Sequence, residues 1–251
     1  MNLHGNTVFI TGGGSGIGRG LAEAFHKLGN KVIIGGRRRD VLEQTIAANP
    51  GMHGIVLDTR DAESIKSAAT DVVRDFPELN VVINNAGVQR VFNFAADAPE
   101  AEAFADEVDT NINGVLRVTT AFLPQLKSRP SATLINVSSG LAFIPLVRYP
   151  VYCATKAFVH SFTMSLRQQL KNTSVRVLEL APPWVATDLG AGHTDATAHS
   201  GMSPMPLADF IAATMQELGT DEQELKIAGA KFLYGAGVGE QAQTVFARMN
   251  S

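Results

Sequence analysis

Short β-branched apolar runs alternate along the chain with longer segments of helical spacing. Thr7–Ile10, Lys31–Ile34, Gly54–Leu57, Val81–Ile83, Thr133–Val137 and Val175–Leu180 are predicted strands, with Leu225–Ala228 a weaker seventh. Their apolar positions are mostly continuous, as in parallel strands covered on both faces; half-exposed strands alternate instead. Helical spacing over about 16–28, 39–48, 61–75, 101–127, 152–171 and 206–218 predicts the intervening helices. Strand–helix alternation implies right-handed crossovers. The expected fold class is α/β, a doubly wound parallel sheet of six to seven strands with helices on both faces.

No Pro/Gly/Ser linker divides the chain, so residues 1–251 are expected to form a single domain. The stretch 188–206 has no period and is rich in small residues, His and Met. A loop of this length is a substrate-loop segment or a disordered connection, and both readings stay open.

Composition narrows the classes. The net charge of −3 opposes a general attraction to nucleic acid. No apolar run approaches the ~20 residues of a membrane span, and the N-terminus lacks a leader pattern. The single cysteine, Cys153, cannot form an internal disulfide. A cytoplasmic protein without membrane or nucleic-acid partners is expected. The six histidines show no metal-ligand spacing, so no metal is expected.

Thr11-Gly-Gly-Gly-Ser-Gly-Ile-Gly18 follows the first strand and opens the first helix. Glycine lets backbone N–H groups approach a phosphate, and the helix dipole favours the negative charge. The alternative is a bare glycine-rich turn, which this placement disfavours. The spacing T-G-x-x-x-G-x-G resembles that of the short-chain dehydrogenase/reductase family, in its compact single-domain branch. The resemblance runs from about residue 6 to 187 and implies a single-domain Rossmann-type sheet binding a nicotinamide dinucleotide. Within the family, Asn136-Val-Ser-Ser-Gly-Leu-Ala-Phe143 and Glu179-Leu-Ala-Pro-Pro183 resemble the DltE-like oxidoreductases.

By this resemblance Gly12, Gly14, Ser15, Gly16, Ile17 and Gly18 hold the cofactor phosphates. The second strand ends in Gly36-Arg37-Arg38 with no carboxylate. Gly36 stands where NAD-preferring members carry an acid, and Arg37 matches the NADP-selecting position. A guanidinium suits a phosphate monoester, so NADP(H) is preferred over NAD(H). Cations at a helix start are also easiest to explain by a shared anion, with Arg38 beside Arg37; Arg39 reads as ordinary surface charge. Asp58 resembles the adenine-contacting acid, or else caps the next helix. Asn85, Ala86 and Gly87 match the family's Asn-Asn-Ala-Gly turn. Pro182, Val185 and Thr187 follow the sixth strand, where Pro183 replaces a common glycine, so cofactor contacts are least secure there.

Tyr152 and Lys156 stand at i and i+4, on one face of a helix. Such a pair is common by chance, and its position after the fifth strand makes it specific. A free phenol of pKa ~10 is a poor base near neutrality. An ammonium ~5 Å away contributes about 3 kcal/mol at an effective dielectric of ~20, roughly two pKa units downward. Lys156 also resembles the lysine that holds the nicotinamide ribose, so both residues belong to the cofactor site as well. Ser139 lies thirteen positions before the tyrosine, the family's usual separation for its catalytic serine, with Ser138 as competitor. Asn111 resembles the asparagine whose bound water links the lysine to solvent, with Asn113 a decoy. The catalytic set is therefore Asn111, Ser139, Tyr152 and Lys156.

The expected reaction is hydride transfer between NADP(H) and a ketone, aldehyde or alcohol, chiefly carbonyl reduction. Gln89, Leu141, Phe143, Val147, Tyr149 and Trp184 suggest a hydrophobic substrate. Phe158, Phe162 and Leu166 recur at helical spacing, as core or as the interface of a homo-oligomer, dimer or tetramer. The rivals are a non-catalytic NADPH-binding sensor and a 3-oxoacyl carrier-protein reductase. The chain's ending, Gly229-Ala-Lys-Phe-Leu-Tyr-Gly235, departs from the latter.

Overall fold

The computed structural model describes residues 1–96, 99–190 and 203–237, together with Thr244 and Arg248. Seven strands form one sheet: β1 (Thr7–Thr11), β2 (Lys31–Gly36), β3 (His53–Val56), β4 (Val81–Asn84), β5 (Ala132–Val137), β6 (Val175–Ala181) and β7 (Glu224–Lys226). Their order is β3-β2-β1-β4-β5-β6-β7, and every pairing is parallel. The weak seventh strand is real, shifted to an earlier start. The helices are α1 (Gly16–Lys27), α2 (Arg39–Ala48), α3 (Ala62–Asp75), α4 (Ala105–Val108), α5 (Gly114–Ser128), α6 (Pro150–Leu170), α7 (Leu207–Leu218) and α8 (Gly229–Gly237).

Neighbouring strand residues serve opposite faces. Val8 and Ile10 join Leu21, Phe25, Leu42 and Phe210 in one core, on the side of α1, α2 and α7. Phe9 joins Ile65, Phe122 and Leu166 in the other, on the side of α3, α5 and α6. Two cores explain the unbroken apolar runs. Burying both faces of a central strand leaves no solvent side for polar residues.

The predicted helix over 101–127 is not continuous. A 3₁₀ turn over Ala101–Phe104 leads into α4, and a π turn over Asp109–Asn113 separates α4 from α5. The π turn carries Asn111, whose side chain reaches out of the helix to other elements. Wide turns of this kind are frequent at functional sites. Helix α6 starts at Pro150, two residues before the predicted start. Proline suits a first turn, where its missing N–H has no intrahelical acceptor to lose.

The sheet order reverses between β1 and β4. Loops leaving these two strands diverge there, and the cleft opens at the carboxyl ends of the strands.

Candidate active site

A cleft of about 1330 Å³ lies along that edge. Its walls come from the loops after β1, β2, β4, β5 and β6, the start of α6, and α8. Gly12, Gly14, Ser15, Gly16 and Ile17 form one end, with Arg37 and Arg38 beside them. The walls also carry Asn85, Ala86 and Gly87, the set Ser139, Tyr152 and Lys156, and Pro182, Val185 and Thr187, with Thr187 against Gly16.

The glycine loop and the Asn-Asn-Ala-Gly turn interlock. Gly12 sits at φ +67°, and a Cβ there would lie 3.0 Å from Ala86 Cα. Asn85 Nδ2 donates to Thr11 O at 2.9 Å, and the amides of Asn85 and Ala86 both donate to Thr11 Oγ1. Gly16 sits at φ +52°, a conformation costly for a residue with Cβ. Ser15 stands at the N-cap of α1, yet its side chain does not cap the helix, and the first turn carries no acid. The helix therefore presents its N-terminal N–H groups to the cleft, which fits an anionic group. Arg37 and Arg38 are exposed, and no ion pair among the described residues engages either. These features fit a dinucleotide carrying an extra phosphate.

Two predicted cofactor residues do not line the cleft. Gly18 lies behind the loop, where a Cβ would stand 2.3 Å from Gly12 O and 2.4 Å from Asn85 Nδ2. Its glycine permits helix–loop packing rather than ligand approach. Asp58 is taken by Arg60, whose guanidinium meets it at 2.8 Å and whose amide donates to it at 3.0 Å. Those bonds hold its carboxyl below the usual carboxylate range. Nor does Asp58 cap α3; Asp61 does, accepting from Glu63 N at 2.9 Å.

Near the other end, Ser138 and Ser139 part ways. Ser138 Oγ donates to Glu179 Oε1 at 2.5 Å, and Glu179 Oε2 meets His160 Nδ1 at 2.7 Å. Ser139 Oγ accepts from Leu141 N at 3.1 Å and also hydrogen-bonds the Tyr152 phenol. Tyr152 is buried, and burial raises its phenol well above the usual value, with the Ser139 bond opposing. The expected lowering by Lys156 is thus not what prevails. Desolvation of the phenolate governs the shift, and it is Ser139 rather than Lys156 that opposes it. Lys156 is itself buried, and that pushes its ammonium down to about 8. Its Nζ donates to Val137 O at 2.8 Å and lies 5.6 Å from the Tyr152 ring centroid.

Asn111 is buried and does not line the cleft. Its Oδ1 accepts from Val88 N at 2.9 Å, while Nδ2 donates to Val88 O at 2.9 Å and Thr155 Oγ1 at 3.0 Å. It ties the loop after β4 to α6. Asn113 bonds Asp109 within its own turn.

Of the proposed pocket residues, Gln89, Leu141, Val147, Tyr149 and Trp184 line the cleft. Phe143 does not; it packs edge-on against His160 and Tyr234. Leu166 belongs to the core and Phe162 packs partly against it, while Phe158 stacks on Phe162 at 6.0 Å. The stretch 188–206 leaves and returns at the cleft: Asp188, Leu189, Ser203 and Met205 line it, and Val185 pairs with Met205. Residues 191–202, with His193 and His199, lie outside the described residues. Among the described residues no cluster of His, Cys, Asp or Glu could hold a metal ion. No helix among them is long and apolar enough to cross a membrane.

Sequence reasoning missed the contribution of α8, whose Phe232 and Leu233 line the distal wall. The apolar spacing of the chain's ending was its signal. It also missed Glu107, a fully buried carboxyl at the foot of the site. An acidic residue in a helical stretch ordinarily reads as surface, so no pattern marked it.

Fold and cleft together define a nicotinamide-type α/β oxidoreductase. Residues 6–198 match the family model for short chain dehydrogenase, and the chain belongs to that family. The chain is 42% identical over 195 residues to the uncharacterized oxidoreductase DltE of Bacillus subtilis, covering 78% of this chain and 77% of that one. It is 34% identical to serine 3-dehydrogenase of Rhizobium radiobacter, covering 88% and 90%. Its fold matches a short chain dehydrogenase of Burkholderia cenocepacia, solved in complex with NADP, at TM-score 0.85 and 26% identity over the whole of both chains.

Proposed function

We propose that the protein is an NADP(H)-dependent carbonyl reductase, built as one domain and acting on a hydrophobic ketone or aldehyde. The observation that carries the reading is the joining of Ser139, Tyr152 and Lys156 on one wall of the cleft that the glycine loop closes at its other end.

When bound, the cofactor supplies the hydride. Ser139 Oγ donates to the carbonyl oxygen and fixes its position. The Tyr152 hydroxyl donates the proton that the reduced oxygen needs. Burial keeps the phenol protonated, the form a donor requires. Lys156 places a positive charge beside the phenol and holds the cofactor ribose. Asn111 keeps the Val88 backbone and Thr155 in register around it. Leu141, Val147, Trp184 and Phe232 give the substrate end an apolar wall, which supports a hydrophobic carbonyl compound.

The preference for NADP(H) is supported by Arg37 and Arg38 lying on the cleft wall. No carboxylate stands at the end of β2 to accept from a ribose hydroxyl. The complex of the Burkholderia neighbour with NADP agrees with this. Arg37→Ala is expected to weaken NADPH binding roughly ten- to a hundredfold and leave NADH unchanged, as loss of a charged hydrogen-bond pair of ~1.5–3 kcal/mol requires. Fluorescence titration of both cofactors checks it; equal loss for both removes the phosphate-clamp reading. Steady NADPH oxidation across a panel of ketones separates a reductase from a sensor. A homo-oligomer stays the expectation from the family, and sedimentation measures it.

A further inference from the structure

Beneath the cleft, one acid stands out. Glu107 lies in α4, and the π turn that follows carries Asn111. Both reach the loop after β4: Glu107 Oε1 accepts from Arg90 N at 3.2 Å, and Asn111 brackets the Val88 backbone. That loop includes Gly87, where an added Cβ would lie 3.4 Å from Asn111 Oδ1 and 3.6 Å from Lys156 Nζ. The π turn that follows α4 and the lysine thus approach the same glycine, and α4 itself packs against α6.

Glu107 has no solvent exposure, and its Oε2 has no hydrogen-bond partner. A buried carboxyl with a free oxygen is costly unless a charge answers it. Among the described residues, Lys156 is the one buried ammonium, and Glu107 and Glu179 are the buried carboxyls. Glu179 is already committed to Ser138 and His160. Arg90 presents its amide to Glu107, while its guanidinium goes to Asp106 at 2.7 Å. From α6, the ionisable groups within electrostatic reach of Glu107 are Lys156, Tyr152 and Cys153.

We propose that Glu107 is a positioning residue that acts through Lys156, holding the buried lysine in its charged form beside Tyr152. It touches neither substrate nor cofactor. Burial pushes the Glu107 carboxyl up to about 7, with Lys156 among the groups opposing, and Glu107 in turn opposes the fall of Lys156. Each group therefore moves the other's titration.

The kinetic arm of the test rests on the reductase reading; the spectroscopic arm does not. Glu107→Gln keeps the size and an acceptor for Arg90 N, and removes the charge. Its alkaline limb of the turnover-versus-pH profile is expected about one pH unit lower, as loss of a nearby charge requires. Glu107→Asp is expected to bring the limb back toward wild type, even if packing lowers the overall rate. Infrared difference titration of the cofactor-free protein should show a neutral carboxyl band in wild type that Glu107→Gln lacks. In Lys156→Met that band should titrate at higher pH. An alkaline limb that stays in place in Glu107→Gln while the rate falls uniformly overturns the proposal, as does a band whose midpoint ignores Lys156→Met. If wild type reduces no carbonyl compound, the reductase reading fails, and the infrared midpoint alone decides the pair. If Glu107→Gln does not fold, the wild-type and Lys156→Met titrations still decide it.

Discussion

At the residue scale the site is a matter of which hydroxyls are free. Ser138 and Ser139 look equivalent in sequence, and a partner separates them. Ser138 is spent on Glu179. Ser139 keeps its oxygen near Tyr152. Tyr152→Phe is accordingly expected to lower kcat roughly 10²- to 10⁴-fold, the usual worth of a positioned acid. Stopped-flow hydride transfer measures it; unchanged turnover removes Tyr152 from the chemistry. Tyr152, Lys156 and Ser139 were legible in the sequence because their spacing survives folding. The direction of the Tyr152 shift was not. Spacing shows the neighbouring ammonium but not the water lost on burial, and desolvation is the larger effect here. Glu107 was invisible for the same reason.

Elements explain why one glycine of the loop motif is not a ligand site. Gly18 serves packing, since any side chain there meets Gly12 O. Gly18→Ala is expected to destabilise the protein by about 1–3 kcal/mol, the cost of overpacking, and to weaken cofactor binding through the displaced loop. Urea unfolding with cofactor titration checks both effects. A stable variant with intact affinity would mean that the loop yields easily. The strand and helix pattern was legible because two cores force continuous apolar runs. The π turn was not. Its widening belongs with Asn111 reaching Val88 and Thr155, and those partners are 23 and 44 positions away along the chain. Asn84 gives a parallel case. It bonds Thr119 and Asn136, and Asn136 bonds Thr163, so a buried amide chain joins the sheet to α5 and α6.

For the whole molecule, the group at Ser138, Glu179 and His160 links the sheet to α6. The hydrogen bond that His160 donates to Glu179 raises its imidazole, with burial opposing. A raised folded value means stability fully present below the unfolded pKa of ~6.5 and lost as pH rises through the folded one. The unfolding free energy of wild type should therefore exceed that of His160→Gln at acid pH, and the gap should close on the alkaline side. Urea titrations at a series of pH values test the sign; a gap that widens with pH reverses it.

Cys153, one residue beyond Tyr152, has a further consequence. Burial pushes its thiol up to about 11, and it packs among Tyr149, Tyr152 and Leu146. At pH 7 only about one thiol in 10⁴ is then a thiolate, against a few per cent for an exposed cysteine. An alkylating reagent must wait for the start of α6 to open before it reacts. Since the chain has a single cysteine, mass spectrometry reads that event without ambiguity. Labelling becomes a clock for breathing at the site, expected to slow when a ligand fills the cleft and to run unchanged if that part of the helix never opens alone.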